Sequence, residues 1–512
     1  MVYIIIITLG LCAVYFVLSS SGKTDKKTLP LPPGPKPLPV LGNLFQIPKE
    51  RYWERYQELH RKYGPIFSLN MGTKVVIVLG NHQVANDLLE KRSRIYSSRP
   101  AFTFARECLT KNLMVGILPY GPKWRESRRV QASLLTVTAA QKYEALQDLE
   151  SKQLLFELLS QKDFSTRIQR YTSSLIYTLA YGERLHTLET DNIDKLHTHI
   201  GNISVALEPG KWLVDVIPIL NYLPRALAKW KRVGDVLHKT ELSLYSESLA
   251  RGRGKGYWNW AKETTTDENQ KLSWNELCYA IGEMYGAGSF TTATILETFV
   301  KSMVLHPGAQ TKAQHEIDSV VGSSRLPTFG DSKALPYVNA IVSEVLRWRP
   351  LAPSGLPHCV TEDDEYEGYR IPKGATIIAN QWSLDMDEAV FGDPASFRPE
   401  RWIENPGLPS TTFGYGRRVC VGHHVARRSL FLAISRILWT FNITPAYKNG
   451  KRIEVDPANY LPKGPTVAPY PFDVTFEIRS PMHKRMVEES WNLAEKREEV
   501  ILEQIGKGLK SQ

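Results

Sequence analysis

Hydrophobic and polar positions divide this chain into regions with different periodicities. Val2 to Leu18 is apolar without a single charge, and Ser19 to Ser21 extend it without adding one. Ile66 to Leu69 and Val75 to Leu79 are short β-rich runs split by Gly72-Thr73, a hairpin signal, and further β signals lie at Tyr369 to Ile378 and Phe472 to Ile478. Most of the remainder carries apolar residues at helical spacing. The pattern predicts a mainly α protein with small β-sheets, in one domain behind an N-terminal membrane helix. No fixed-period repeat and no second regime of composition marks a second large domain.

One helix stands apart. Ser273 and Glu276 have capping-box spacing ahead of a long apolar run that ends at His306-Pro307-Gly308. More than thirty residues make a rod of roughly 45–50 Å, apolar around most of its circumference, so it should cross the core. Inside it sits Tyr285-Gly-Ala-Gly-Ser-Phe-Thr-Thr292. Thr291 can turn its hydroxyl back to the Ala287 carbonyl. Such a stretch either bulges or lets another helix pack close across Gly286 and Gly288, and spacing alone favours packing.

Residues 1–21 read as a membrane anchor. Val2 to Leu18 with the serines spans roughly 25–30 Å as a helix, close to the core of an endoplasmic reticulum bilayer. A cleaved signal peptide is the rival, but no basic n-region or small-residue cleavage site is evident. Lys23, Lys26 and Lys27 follow the run and favour a cytosolic downstream chain. Residues 22–45 read as a basic, proline-rich hinge, in which Leu29 to Pro39 form a stiff, extended spacer. Residues 46–485 would be the catalytic domain, and 486–512 a charged helical tail carrying Trp491, Leu493, Ile501 and Ile505. Glu208 to Pro224 is apolar but broken by Pro209, Gly210, Pro218 and Pro224, so it cannot be one helix. Gly252-Arg-Gly-Lys-Gly256 follows no strand and reads as a basic loop, not a nucleotide fingerprint.

Composition narrows the picture little. Of 512 residues 42% are hydrophobic and 23% charged, which is globular, and the net charge of +11 suits an acidic protein partner or an anionic membrane. The basic residues are scattered, without the aromatic-interleaved stripe of a nucleic-acid binder. The five cysteines, Cys12, Cys108, Cys278, Cys359 and Cys420, are odd in number and widely spaced, which argues for a reducing compartment and leaves one free for chemistry.

The most specific segment is Phe413-Gly-Tyr-Gly-Arg-Arg-Val-Cys420-Val-Gly422, ahead of a helix-like run from His423. Its glycines let the backbone turn tightly under a flat ligand. Cys420 precedes a helix N-terminus, where amide N–H groups favour a thiolate. A thiolate on iron pushes density that favours O–O cleavage. A buried inert thiol is the plain alternative. Zinc is another, through Cys420-x-x-His423, although a second ligand pair is missing.

This segment resembles the haem loop of the cytochrome P450 family, Phe-x-x-Gly-x-Arg-x-Cys-x-Gly, with Val421 where proline is usual. Further resemblances follow in family order. Trp124-Arg-Glu-Ser-Arg128 matches Trp-x-x-x-Arg, and Ala287-Gly288 to Thr291-Thr292 matches the oxygen groove. Glu344-Val-Leu-Arg347 matches Glu-x-x-Arg, and Pro399-Glu-Arg401-Trp402 matches Pro-Glu-Arg-Phe. Two departures stand out: Phe290 replaces the acid before Thr291, and Met386 replaces a histidine. Glu283 could stand in through water, but it faces about 80° away from Thr291. The likeness is greatest to fungal secondary-metabolism members similar to O-methylsterigmatocystin oxidoreductase.

The resemblance implies haem b with Cys420 as its axial ligand, and Thr291 assisting oxygen activation. Trp124, Arg128, His358 and Arg418 would hold the propionates, and Ala287, Gly288, Phe413 and Gly422 would border the haem. Glu344, Arg347 and Arg401 would form a structural network. Phe102, Phe104, Phe290, Leu351, Leu356 and Val467 would touch an apolar substrate. No flavin or dinucleotide module is present, so electrons would come from an NADPH-cytochrome P450 reductase, with cytochrome b5 a further candidate. The expected activity is a monooxygenase of the endoplasmic reticulum membrane, its catalytic domain in the cytosol, acting on an apolar terpenoid or polyketide. Phe290 leaves open an isomerase, dehydratase or peroxide-driven enzyme, and a non-enzymatic haem or zinc protein is the remote alternative.

Overall fold

The helix starting after Ser273 is the axis of the molecule. In this computed structural model the described residues are 29–511, except Val40, Thr73, Gln161, Lys162, Thr190 and Pro209. The expected anchor, 1–21, and hinge residues 22–28 lie outside them. Among the described residues no helix is long and apolar enough to cross a membrane. The helices around the site are α1 (Pro122–Leu134), α2 (Glu144–Leu158), α3 (Phe164–Tyr181), α4 (Asp191–Ala206) and α5 (Lys229–Gly254). They continue with α6 (Trp274–Leu305), α7 (Pro336–Trp348), α8 (His423–Thr440), α9 (Pro481–Asn492) and α10 (Glu498–Lys510).

The α6 capping box forms as its spacing predicts. The Glu276 amide donates to Ser273 Oγ at 3.4 Å, and the Ser273 amide donates to Glu276 Oε2 at 2.9 Å. Such a cap is worth about 1 kcal/mol, and the stop follows at His306, before Pro307 opens the next helix. Two separate hydrophobic cores meet on α6. Leu277 to Tyr285 pack with α3, α5 and α10, whereas Ala293 to Val304 pack with α2, α7 and α8. Leu296, Phe299 and Met303 are fully buried, each gaining roughly 1.5–3 kcal/mol of transfer free energy.

Residues 286–292 belong to neither core. The helix does not bulge there; its glycines serve close packing. A Cβ on Gly288 would lie 2.9 Å from Ile176 of α3, and one on Gly286 3.2 Å from Ile200 of α4.

The main sheet has four strands: β1 (Ile66–Met71), β2 (Lys74–Leu79), β3 (His358–Cys359) and β6 (Thr376–Ala379), in the order β1-β2-β6-β3. The β1–β2 hairpin is antiparallel with Ile66 opposite Leu79, and β2 runs parallel to β6 with Val76 opposite Thr376. The expected strand from Tyr369 to Ile378 is two. Its first part, β5 (Tyr369–Ile371), pairs with β4 (Asp364–Tyr366) in a separate ribbon. Pro372 and Gly374, at φ +82°, break the run before β6. Three further pairs complete the sheets: β7 (Phe441–Pro445) with β12 (Val474–Ile478), β8 (Tyr447–Lys448) with β9 (Lys451–Arg452), and β10 (Tyr460–Lys463) with β11 (Thr466–Pro469).

The proline-rich segment is extended and tied to the sheet. The Ser68 amide donates to the Pro33 carbonyl at 2.8 Å, and the Arg370 amide to Pro30 at 2.8 Å. Glu208 to Pro224 forms two short turns, Leu213–Val216 and Pro218–Tyr222. The expected loop at Gly252 is instead the last turn of α5, which runs to Gly254. Gly252 is needed there because a Cβ would sit 2.8 Å from Ala261 and 3.0 Å from the Tyr181 backbone. The C-terminal region forms two helices. The expected boundary at residue 486 falls inside α9, and α10 buries Ile501, Leu502 and Ile505 in the core. Leu493, in the break between them, stays exposed.

Candidate active site

The Cys420 loop is a closed turn. The Cys420 amide donates to the Phe413 carbonyl at 2.8 Å, with Gly414 at φ +84° and Gly416 at φ +52°. Gly416 admits no side chain, since its Cβ would meet the Leu89 carbonyl oxygen at 2.5 Å. Gly422 is the residue before α8, so the sulfur faces free amides. Burial raises the Cys420 thiol above its usual range, opposed by the Gly422 and His423 amides and by the Arg128 charge. His423 Nδ1 lies 2.7 Å from the Cys420 carbonyl oxygen. Among the described residues no group of three or more His, Cys, Asp or Glu side chains is placed to hold a metal ion.

Three guanidinium groups converge beside this loop. Arg128 of α1 donates to the Val419 carbonyl. Arg418 donates to the carbonyls of Ser97 at 2.7 Å and Leu118 at 2.6 Å, and lies 4.3 Å over the Trp124 ring. Arg99 donates to Leu356 at 2.7 Å, Pro357 at 2.8 Å and Gly116 at 3.1 Å. Burial and mutual repulsion hold Arg99 and Arg418 well below the usual guanidinium range, with Glu283 the carboxylate facing them. Sequence reasoning missed Arg99, because an arginine between Ser98 and Pro100 reads as an ordinary loop cation.

His358 opens β3. Its Nδ1 lies 2.8 Å from the Tyr96 carbonyl, which fixes the proton there. Burial, and then the repulsion of Arg99 and Arg418, push its pKa to about 3, so the ring is neutral.

Thr291 Oγ1 donates to the Ala287 carbonyl at 2.7 Å. Ala287 is exposed midway along a core helix, as is Cys420 in the loop, so both border an internal hollow. Glu283 is committed elsewhere: Val115 and Gly116 amides donate to its two oxygens at 2.8 and 2.7 Å. Burial raises its pKa to about 7, opposed by those amides and by Arg128. Phe290 turns instead toward Lys463, whose Nζ is 5.3 Å from its ring centroid.

Glu344, Arg347 and Arg401 form one buried network. Arg347 donates to both Glu344 oxygens at 2.7 and 2.9 Å, and Arg401 to Oε1 at 3.2 Å. The remaining guanidinium hydrogens meet backbone carbonyls of Asp385, Pro394, Phe391 and Asp393. Trp402, standing where phenylalanine is usual, adds a donor: its Nε1 reaches Glu344 Oε2 at 2.9 Å.

The expected substrate contacts fall into separate groups. Phe104 stacks on Trp212 at 3.6 Å, and Phe102 joins the same cluster. Leu351 and Val467 meet, the Val467 amide donating to the Leu351 carbonyl at 2.8 Å. The Leu356 carbonyl is held by Arg99, and Phe290 lines a cavity facing α4.

These donors suit one group: a flat ligand bearing two carboxylates and a metal that takes a thiolate. Iron-protoporphyrin fits, because the buried Arg99 and Arg418 and the half-buried Arg128, with one opposing carboxylate, call for anions, and the Gly422 and His423 amides beside the sulfur oppose the burial that disfavours its thiolate. That defines a haem-thiolate oxidoreductase. The chain belongs to the cytochrome P450 family, whose model matches residues 32–468. It is similar to the cytochrome P450 monooxygenase aneD of Aspergillus aculeatus, 44% identical over 487 residues and covering 94% of both chains. It is also 44% identical to drtD of Aspergillus calidoustus over 490 residues (95% of this chain, 92% of that one). FrzL of a Cladobotryum species is 40% identical over 492 residues, 94% of each. The protein is therefore an oxidoreductase with a haem-thiolate cofactor, of a family that draws its electrons from NADPH by way of a reductase.

Proposed function

We propose that this chain is a membrane-anchored monooxygenase of the endoplasmic reticulum that oxidises an apolar terpenoid or polyketide in fungal secondary metabolism. Convergence of Arg99, Arg128, Arg418 and Trp124 on the loop that presents Cys420 carries this reading. Cys420 would be the axial ligand, with Phe413 and Gly422 shaping the turn beneath it. Trp124, Arg128, His358 and Arg418, joined by Arg99, would take the propionates. When bound, haem supplies reductive activation of dioxygen. Thr291 then holds its hydroxyl on the helix face beside Ala287 and Gly288, where it can pass a proton.

An apolar substrate arriving from a bilayer suits the surface of the Glu208–Pro224 region and the residues just after it. Ile219 is 71% exposed, Tyr222 89% and Leu227 69%, with Phe45 at 77% on the neighbouring segment. Gly72, at the β1–β2 turn, lies against Val216 and Leu44, so these parts are continuous. Such a patch marks a membrane or partner contact. Together with the apolar segment 2–18 it supports a cytosolic domain resting on the membrane, fed by a membrane-bound NADPH reductase and open to cytochrome b5.

The test is the reduced, carbon monoxide-bound difference spectrum of membranes carrying the protein, beside Cys420→His. A strongly red-shifted Soret band that the variant lacks is expected. Well-folded wild-type protein without that band sinks the proposal.

Phe290 favours one second reading: isomerisation, dehydration or peroxide-driven oxidation without a reductase. Product formation that persists when NADPH and reductase are omitted would select it.

A further inference from the structure

Behind α6 lies a cavity of about 390 Å³ walled by α3, α4, α6 and the β10–β11 turn. Gly201 and Val205 are exposed at its mouth, whereas Ser289, Thr294 and Glu297 of α6 are buried at its inner end. Gly464 closes one side: a Cβ there would lie 2.2 Å from the Ser204 carbonyl oxygen of α4.

The lining mixes apolar groups such as Ile200, Val205 and Phe290 with the polar Ser289, Thr294, Glu297 and Lys463. Glu297 accepts hydrogen bonds from Ser165 and Gln169, and faces the charges of Lys463 and Asp163. Burial raises its carboxyl above the ordinary range, opposed by Ser165, Lys463 and Gln169, which brings the protonated form within reach. Phe290, on the border between the cavity and the Thr291 face, carries no proton.

Helix geometry links the two faces. Glu297, Thr294 and Thr291 follow one another at intervals of three residues, each step turning about 60° and rising about 4.5 Å. The three residues therefore follow a shallow spiral from the cavity wall to the face that carries Thr291, with water needed to join their side chains.

We propose that Glu297 is a proton relay of this enzyme, taking protons from cavity water and passing them through Thr294 to Thr291. In each transfer the Glu297 O–H bond breaks toward Thr294 and a water proton replaces it from the cavity side. Thr294 and then Thr291 each accept one proton as they give up another, the last released on the Thr291 face; bulk water restores the proton lost by the cavity water, and no electrons move. Glu297 thus acts through the threonines, in place of the acid that Phe290 displaces, and the inference rests on the haem-thiolate reading above.

The test uses the full-length haem protein in membranes. The infrared difference between wild type and Glu297→Gln should contain a carboxylic-acid C=O band that shifts promptly in D2O. Val205→Trp, at the mouth, should slow that shift several-fold. With reductase and NADPH but no added substrate, Glu297→Gln should lower NADPH oxidation at least about tenfold and flatten its pH profile, and Glu297→Asp should restore both. If Glu297→Gln keeps its Soret band together with the wild-type rate and pH profile, or if the band does not exchange in D2O, the relay is wrong. A wild type without the Soret band overturns the monooxygenase reading first, and the relay with it.

Discussion

Two groups of arginines in this protein, all buried except the half-buried Arg128, are built from the same parts and balanced in opposite ways. Arg347 and Arg401 share Glu344 and fill their remaining donors with backbone carbonyls, so the group is complete within the chain. Arg99, Arg128 and Arg418 repel one another with Glu283 as the opposing charge, and Glu283 is itself held by the Val115 and Gly116 amides. A saturated network fixes structure, whereas a group left short of anions is made to bind them.

The sharpest way to break the comparison is to unbalance the balanced group. Glu344→Ala would strand two guanidinium groups in a dry core, and the expected loss is about 3–5 kcal/mol of stability. Urea unfolding of the haem-free protein measures it. A loss under about 1 kcal/mol would mean that water reaches the network.

Arg418→Gln keeps a donor and removes one of the mutually repelling charges. Stability of the haem-free protein should change by less than about 1 kcal/mol, because lost hydrogen bonds and relieved repulsion offset. Haem retention should fall about thirtyfold, the equivalent of roughly 2 kcal/mol, as haem passes to a scavenging apoprotein. Equal damage to both quantities would show that Arg418 is structural.

Trp402→Phe is a finer probe. It returns the residue usual in the family and deletes only the indole donor to Glu344. The expected cost is about 1.5 kcal/mol, that of a hydrogen bond to a charged group, with haem retention unchanged. No cost would mean that the other donors satisfy Glu344 alone.

The two groups were not equally legible from sequence. Glu344 and Arg347 are three apart on one helix, and Cys420 sits in a contiguous loop, so local spacing exposed both. The same holds for α6, whose cap and stop are written in neighbouring residues. Arg99 escaped because its partners at Gly116, Leu356 and Pro357 are remote in sequence. Glu283 was visible in the sequence, but its commitment was not, its acceptors being filled from a turn about 170 residues away. The amphipathic pattern near the C-terminus was visible, but the seat of α10 beside Trp258 depends on Gly506, where a Cβ would come 2.6 Å from that side chain. Glu297 and Lys463 likewise meet only through the packing of α6 against the β10–β11 turn.

The smallest net effect in the wild type lies in the pH dependence of the uncompensated group, where two slopes oppose each other. Glu283 has a folded pKa of about 7 against 4.5. Between those values the folded chain holds a proton that the unfolded chain has released, so stability falls as pH rises. His358 has a folded pKa of about 3 against 6.5. Between those values the unfolded chain holds a proton that the folded chain refuses, so stability falls as pH drops. From about pH 4.5 to 6.5 the contributions largely cancel in the wild type. Relative to wild type, haem-free Glu283→Gln should gain stability as pH rises from about 4.5 to 7. His358→Gln should gain as pH drops from about 6.5 to 3. Urea midpoints across this range give the difference curves directly. Two curves of the same sign would mean that one of these groups is not buried as the geometry requires, and parallel flat curves would remove both from the charge balance of the site.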